Sequence, residues 1–110
     1  MVKFTKIAGQ EVPVSFGNAT LIRFEEETGI SILNLGTTPL NYKNTLILIY
    51  EGIRDGYRKA QRNLNLDFDA VCDLLDEDPH AINRIIEIFT GSLPKEANSE
   101  KKMKVAPVKK

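Results

Sequence analysis

Cysteine and histidine occur once each in this 110-residue sequence, as Cys72 and His80. A lone cysteine excludes an internal disulfide and fits a reducing compartment. With one residue of each kind, no His-rich or Cys-rich metal site can assemble. A Cys–His nucleophilic pair would need Cys72 exposed beside His80. Its spacing with Phe68, Val71 and Leu75 instead puts it on an inward stripe, where free cysteine is commonly packed. Long apolar runs are also missing. The longest, Leu46 to Tyr50, is far short of the roughly 20 residues that span a bilayer. The opening "MVKFTKIAG" has basic residues but no apolar signal core, so secretion is not expected and a cytoplasmic location is.

A net charge of either sign is absent too, but only as a cancellation. Residues Met1 to Gly91 carry nine Lys/Arg and thirteen Asp/Glu, and Ser92 to Lys110 carry six Lys and two Glu, so an acidic body of −4 precedes a basic tail of +4. The apolar content of 42% and charged content of 27% are those of an ordinary globular chain. The expected organisation is one folded domain over residues 1–93 and a flexible basic tail over residues 94–110, where "KEANSEKKMKVAPVKK" has no periodicity and little to bury.

Periodicity within the body predicts a mainly α fold with a short N-terminal β-hairpin, an α+β arrangement with a small bundle of about four helices. Alternation over Val2 to Ile7 and again in "VPVSF" reads as a hairpin turned near Gly9, with Pro13 at an edge. From Asn18, a plausible cap, Leu21, Phe24 and Thr28 fall at helical spacing, Ile22 widens the stripe, and Gly29 ends the element. Gly36 and Pro39 keep the following segment irregular.

The longest periodic stretch runs from about Tyr42 to Asn63, with Leu46, Ile49, Tyr50, Ile53, Tyr57 and Ala60 recurring at three and four. Ile47 and Leu48 extend its apolar surface, so its first half should be buried on more than one side. Gly52 and Gly56, one turn apart, each cost about 1 kcal/mol relative to alanine, and the compensation expected is close packing of another backbone. A third helix starts after Asp67, with Phe68, Val71, Cys72 and Leu75 inward and Asp69 and Asp73 outward. A fourth has Asp78 as cap, Pro79 at its first position, Ile82, Ile85, Ile86 and Phe89 inward, and Gly91 as its end.

Candidate chemistry is sparse. "LDFDAVCDLLDEDP" lacks the glycine and closing glutamate of a calcium loop, and its helical apolar spacing favours a capped amphipathic helix with a solvated acidic face. "GIRDG" has neither the preceding strand nor the glycine pattern of a phosphate loop. Tyr50, Arg54, Tyr57, Arg58 and Arg62 form a mixed aromatic and basic surface along the central helix, but Glu51 and Asp55 interleave, which favours half-buried tyrosines among solvated charges over a nucleic-acid reader. Lys101, Lys102, Lys104, Lys109 and Lys110 supply salt-sensitive attraction to phosphates without sequence readout. The triplet Glu25, Glu26, Glu27 lies at a helix C-terminus, where each exposed carboxylate costs roughly 0.3–1 kcal/mol. Arg23 offsets Glu27 at most, leaving Glu25 and Glu26 as an acidic corner that is either plainly solvated or suited to a cationic partner. No nucleophile, base and orienting group occur together, so neither catalysis nor a cofactor or metal is expected.

The order of a short hairpin, "GNATLIRFEEETGISI", "TLILIYEGIRDGYRKA", "LDFDAVCDLLDED" and "AINRIIEIFTGSL" resembles the tail assembly chaperones of long-tailed phages and prophages, over roughly Val12 to Leu93. "FEEETG", "LIYEGIRDGYR" and "FDAVCDLLDED" carry the resemblance most closely. It implies a non-enzymatic, mostly helical protein of the host or bacterial cytoplasm, active in virion assembly and absent from the finished tail. Such proteins bind the tape measure protein, keep it soluble and help recruit tail tube protein around it. In many of them a translational frameshift near the end of the gene adds a second domain, and "EKKMK" contains adjacent lysines that suit such a site. The expected contact residues are Glu25, Glu26, Tyr50, Ile53 and Tyr57, with self-association and no membrane contact. The alternative is a small nucleic-acid-associated or regulatory domain that uses the lysine tail.

Overall fold

The computed structural model describes residues 2–34 and 40–92. A β-hairpin of β1 (Lys3–Ile7) and β2 (Gln10–Val14) is followed by α1 (Asn18–Thr28), a short 3-10 helix (Ile32–Asn34), α2 (Tyr42–Lys59), α3 (Phe68–Asp76) and α4 (His80–Ser92). This is the expected hairpin with four helices. The basic tail, Leu93, Gly36 and Pro39 lie outside the described residues.

The hairpin turns through Ala8 and Gly9, both at positive φ (52° and 83°), which matches the twist of the flanking strands. Ile7 and Gln10 close the two-residue loop, and the register pairs Phe4 with Pro13. Alternating outward from the hydrogen-bonded closing pair, Phe4↔Pro13 falls at a position where neither residue donates to its partner, so proline costs the ladder nothing there. Pro13 is nevertheless almost fully buried, because β2 packs against α2 on its other side.

That packing answers the question raised by the two glycines. A Cβ on Gly56 would overlap the Pro13 carbonyl and the Val14 Cα, and one on Gly52 would enter the Phe16 ring. The Ser15 N–H donates to the Gly52 carbonyl at 2.9 Å, tying the chain after β2 to the middle of α2. Phe16 then reaches Phe89 of α4 edge to face, with centroids 5.3 Å apart. A single buried cluster draws Ile7, Val14, Phe24, Leu48, Ile49, Ile53, Val71, Leu75, Ile85 and Phe89 from both strands and all four α-helices.

Several helix ends differ from the sequence reading. The residue flanking α1 is Gly17, with no side-chain cap, and Asn18 already lies in the helix. Gly17 is small enough to admit Lys59 Nζ, which a Cβ there would approach to 2.7 Å. Ile22 faces solvent at 56% exposure rather than widening the buried stripe. Asn41 and Asp67 cap α2 and α3 as side-chain acceptors from Asn44 and Ala70 N–H. Asp78 does not cap α4 with its carboxylate. Oδ2 accepts from the Ala8 N–H at 3.0 Å and from Arg84 at 2.8 Å, while Arg84 also donates to the Lys6 carbonyl at 2.6 Å. These bonds hold the Asp78 carboxyl below its ordinary value and latch the hairpin turn to α4. Pro79 precedes α4, and Gly91 lies within it rather than ending it.

The end of α2 is four residues earlier than expected. Gln61 adopts φ 61°, its N–H donates to the Arg58 carbonyl at 3.1 Å, and Arg62 N–H donates to the Tyr57 carbonyl at 2.9 Å. This is a Schellman ending with glutamine where glycine is usual.

Gly56 and Gly91 respond in opposite directions to the same change. Gly56→Ala adds about 1 kcal/mol of helix propensity but forces a methyl into backbone, and a net loss of about 2 kcal/mol remains. Gly91, with no atom of the described residues within 4 Å of its would-be Cβ, gains up to about 1 kcal/mol on replacement by alanine. Urea unfolding of the two variants reads both signs. Equal effects would contradict the close approach at Gly56.

Candidate functional site

α2 carries three surfaces. Its glycine face meets β2, its apolar residues Leu48, Ile49 and Ile53 enter the core, and a third face bears Tyr50, Arg54, Tyr57 and Arg58. With 100° between successive residues, Tyr50, Arg54, Tyr57 and Arg58 cluster on one side and Ile53 falls toward the core flank. Ile53 is 2% exposed and cannot meet a partner, which corrects its expected place among the contact residues.

The third face borders an open groove of about 320 Å³, lined by Tyr50, Arg54, Tyr57, Arg58, Arg62, Asn63, Leu64 and Leu66. The Schellman ending of α2 creates its second wall. Once Gln61 reverses the chain, Leu64 and Leu66 return beside the helix, both half-buried against the core. Tyr50 is braced by the edge of Phe68 on α3, with centroids 5.7 Å apart and rings nearly perpendicular. At the far end, the Arg62 guanidinium lies 5.4 Å from the Phe4 ring centroid, a cation–π contact with an otherwise half-exposed aromatic. Tyr50 and Tyr57 thus sit together as expected, and Leu64, Leu66 and Phe4 join them unforeseen.

Between this face and α1 lies an ionic cluster that sequence spacing had assigned to solvent. Asp55 is fully buried. Its Oδ1 takes Arg58 Nη2 at 2.6 Å and Nε at 2.9 Å, with Arg23 Nη1 at 3.7 Å, and its Oδ2 faces Lys59 Nζ at 3.4 Å. Lys59 also donates to Ser15 Oγ at 3.0 Å. Burial opposes ionisation of Asp55, but the Arg58 hydrogen bonds, the adjacent Ser15 hydroxyl and the charges of Lys59 and Arg58 outweigh it, and the carboxyl is held below its ordinary value.

Glu51, one turn earlier, is 3% exposed and has only Arg54 Nη1, at 3.5 Å. Here burial dominates. The Glu51 carboxyl is pushed above its ordinary value despite Arg54 and Arg23, with Glu27 adding to the rise. Glu51 Oε1, Arg23 Nη1 and Asp55 Oδ2 are buried without an aligned hydrogen bond. Arg23 therefore serves Asp55 and not Glu27, which corrects the pairing expected along α1.

The glutamate triplet divides. Glu25 Oε2 accepts the Ile32 N–H at 2.8 Å, so its carboxylate caps the 3-10 helix that follows. Its backbone carbonyl accepts from Gly29, which has φ 74° at the end of α1. Glu26 remains exposed. Glu25 and Glu26 lie on α1 and line no part of the groove.

Cys72 is half-buried on α3, and burial, with Asp69, Asp73 and Asp76 adding, pushes its thiol up and away from nucleophilic character. His80 is exposed at the start of α4. Among the described residues no three His, Cys, Asp or Glu side chains are grouped closely enough to hold a metal ion. No described helix is long and apolar enough to cross a membrane. Comparison with protein-family models, with curated proteins and with solved structures returns no match.

The two buried carboxylates give opposite pH signatures. Asp55 has a depressed value, so its contribution is present above the ordinary aspartate pKa of about 3.9 and is lost as pH falls through the folded value. Asp55→Asn should cost roughly 1–3 kcal/mol near neutrality, a difference that shrinks below pH about 3.9. Glu51 has a raised value, so its carboxyl favours the fold below the ordinary glutamate pKa of about 4.3 and loses that contribution as pH rises through the folded value. Glu51→Gln should raise stability near neutrality and lose the advantage in acid. Chemical denaturation of both variants across pH 3–8 checks the crossing; parallel profiles would refute it.

Proposed function

We propose that this chain is a non-enzymatic tail assembly chaperone of a long-tailed phage or prophage. It binds the tape measure protein, keeps it soluble and assists the assembly of tail tube protein around it, within the host or bacterial cytoplasm. One observation carries this reading: an open groove along the central helix, walled by two tyrosines and two leucines and rimmed by three arginines. A tape measure protein is long and largely helical, and its apolar stripes aggregate unless covered. A groove of this kind suits a helix laid along it. The hairpin-plus-helices order supports the same reading through the resemblance in "FEEETG", "LIYEGIRDGYR" and "FDAVCDLLDED".

Co-expression with the tape measure protein of the same genome tests the proposal. The client should move several-fold from the insoluble to the soluble fraction with the wild-type chain, and Tyr57→Glu should abolish the shift. A client equally insoluble with and without the chain refutes it. Retention on DNA that weakens steeply with salt and disappears on truncation after Leu93 would favour instead a nucleic-acid-associated role for the lysine tail.

A further inference from the structure

We infer that the groove beside α2 selects a helical segment whose apolar stripe is edged by carboxylates. The biological source of that segment rests on the chaperone reading; the chemistry of the groove does not. Tyr50 and Tyr57 are seven residues apart, about 10 Å along the helix axis. That is the spacing at which apolar residues repeat on one face of a helix packed nearly parallel or antiparallel to α2. A partner can therefore set two successive anchors against the tyrosine and leucine walls, as an extended strand with its period of two residues cannot.

Charge selects the flanks. Arg54 and Arg58 are a little over half exposed, at 52% and 54% of their side chains, and Arg62 is exposed beyond them. Arg54 and Arg58 stand one helical turn apart on the open rim of the groove, and Arg62, past the left-handed turn at Gln61, adds its charge at the end near Phe4. Carboxylates spaced by one turn on a partner helix meet that rim in register.

The same count argues against a phosphate backbone. Arg54 and Arg58 already face the buried carboxylates of Glu51 and Asp55, so Arg62 is the groove guanidinium that has no carboxylate partner among the described residues. Binding to nucleic acid draws its affinity from neutralising several phosphates at once. One unpaired guanidinium beside an apolar wall fits a protein helix bearing few carboxylates.

The test uses the full chain and fluorescence anisotropy with three labelled probes. Two are designed helical peptides of roughly 20 residues, long enough to hold some helix in water, with the same leucine stripe flanked by Glu in one and Lys in the other. The third is a single-stranded oligonucleotide. The Glu peptide should bind about tenfold more tightly than the Lys peptide. Arg62→Glu, an exposed change, should reverse the preference, and Tyr57→Ser should weaken both peptides. Circular dichroism checks each variant's fold, and if Tyr57→Ser does not fold, the Arg62→Glu reversal alone decides.

Equal affinity for the two peptides, a preference untouched by Arg62→Glu, or displacement of the Glu peptide by the oligonucleotide at physiological salt would overturn the inference. The peptides contain no tape measure sequence. Peptide selectivity with failed client rescue would remove the chaperone reading alone, and client rescue without peptide selectivity would remove the groove assignment alone.

Discussion

The close approach of α2 to β2 at Gly56, and to Ser15 and Phe16 just after it at Gly52, is the constraint on which the remaining architecture depends. A two-stranded hairpin is marginal on its own in water. Here it gains a third neighbour, because the backbone from Pro13 to Ser15 lies directly on the face of α2 where Gly52 and Gly56 present no side chain. From that contact Phe16 is delivered to Phe89, which brings in α4, and Asp78 and Arg84 return from the far side to grip the turn and β1. The helix propensity lost at two glycines, about 2 kcal/mol in all, is offset by burial that side chains would have prevented.

Committing one face of α2 to the hairpin determines how the others are used. The adjacent flank meets α1 through charges rather than hydrocarbons. Asp55 has enough partners to hold its carboxyl below the ordinary value, whereas Glu51, with fewer, is pushed above its own. Two acids one turn apart in similar burial thus differ because Arg58, Lys59 and Ser15 converge on one of them. Since a buried ion pair seldom stabilises a fold as much as well-packed apolar residues would, its effect here is on register. Arg23 reaches Asp55, and Lys59 reaches Ser15, only when α1, the chain after β2 and α2 are mutually placed as they are.

The elements that rest on periodicity and glycine chemistry were legible in the sequence: the hairpin turn at Gly9, the left-handed end of α1 at Gly29, the cap at Asp67, and a backbone neighbour for Gly56, whereas Gly52 makes room for the Phe16 ring. Features set by tertiary partners were not. Asp55 looks like any solvated helix charge until Ser15 and Arg23 arrive from elsewhere, and Asp78 fits a cap until its carboxylate is claimed by Ala8 and Arg84. Gln61 carries no mark of a helix end because the left-handed residue is not glycine. Of the expected contact residues, Tyr50 and Tyr57 line the groove, Ile53 is core, and Glu25 is occupied with Ile32.

The overlooked end of α2 also explains why a groove exists. Had the helix continued to Asn63, Leu64 and Leu66 would have been carried onward along the axis, and the tyrosine face would have stood alone. The left-handed residue at Gln61 folds the chain back, so that Tyr57 and Arg62, joined by the terminal hydrogen bond, become neighbours across the bend. One wall is then helix, the other an irregular segment anchored by two leucines and leading into the Asp67 cap. The arginine rim is fixed from beneath, since the guanidinium groups of Arg54 and Arg58 are held by the buried acids while about half of each side chain stays exposed. The side chains that face the opening are aromatic, apolar, amide and guanidinium, brought together by the bend at Gln61 and the face of α2 that it leaves uncovered.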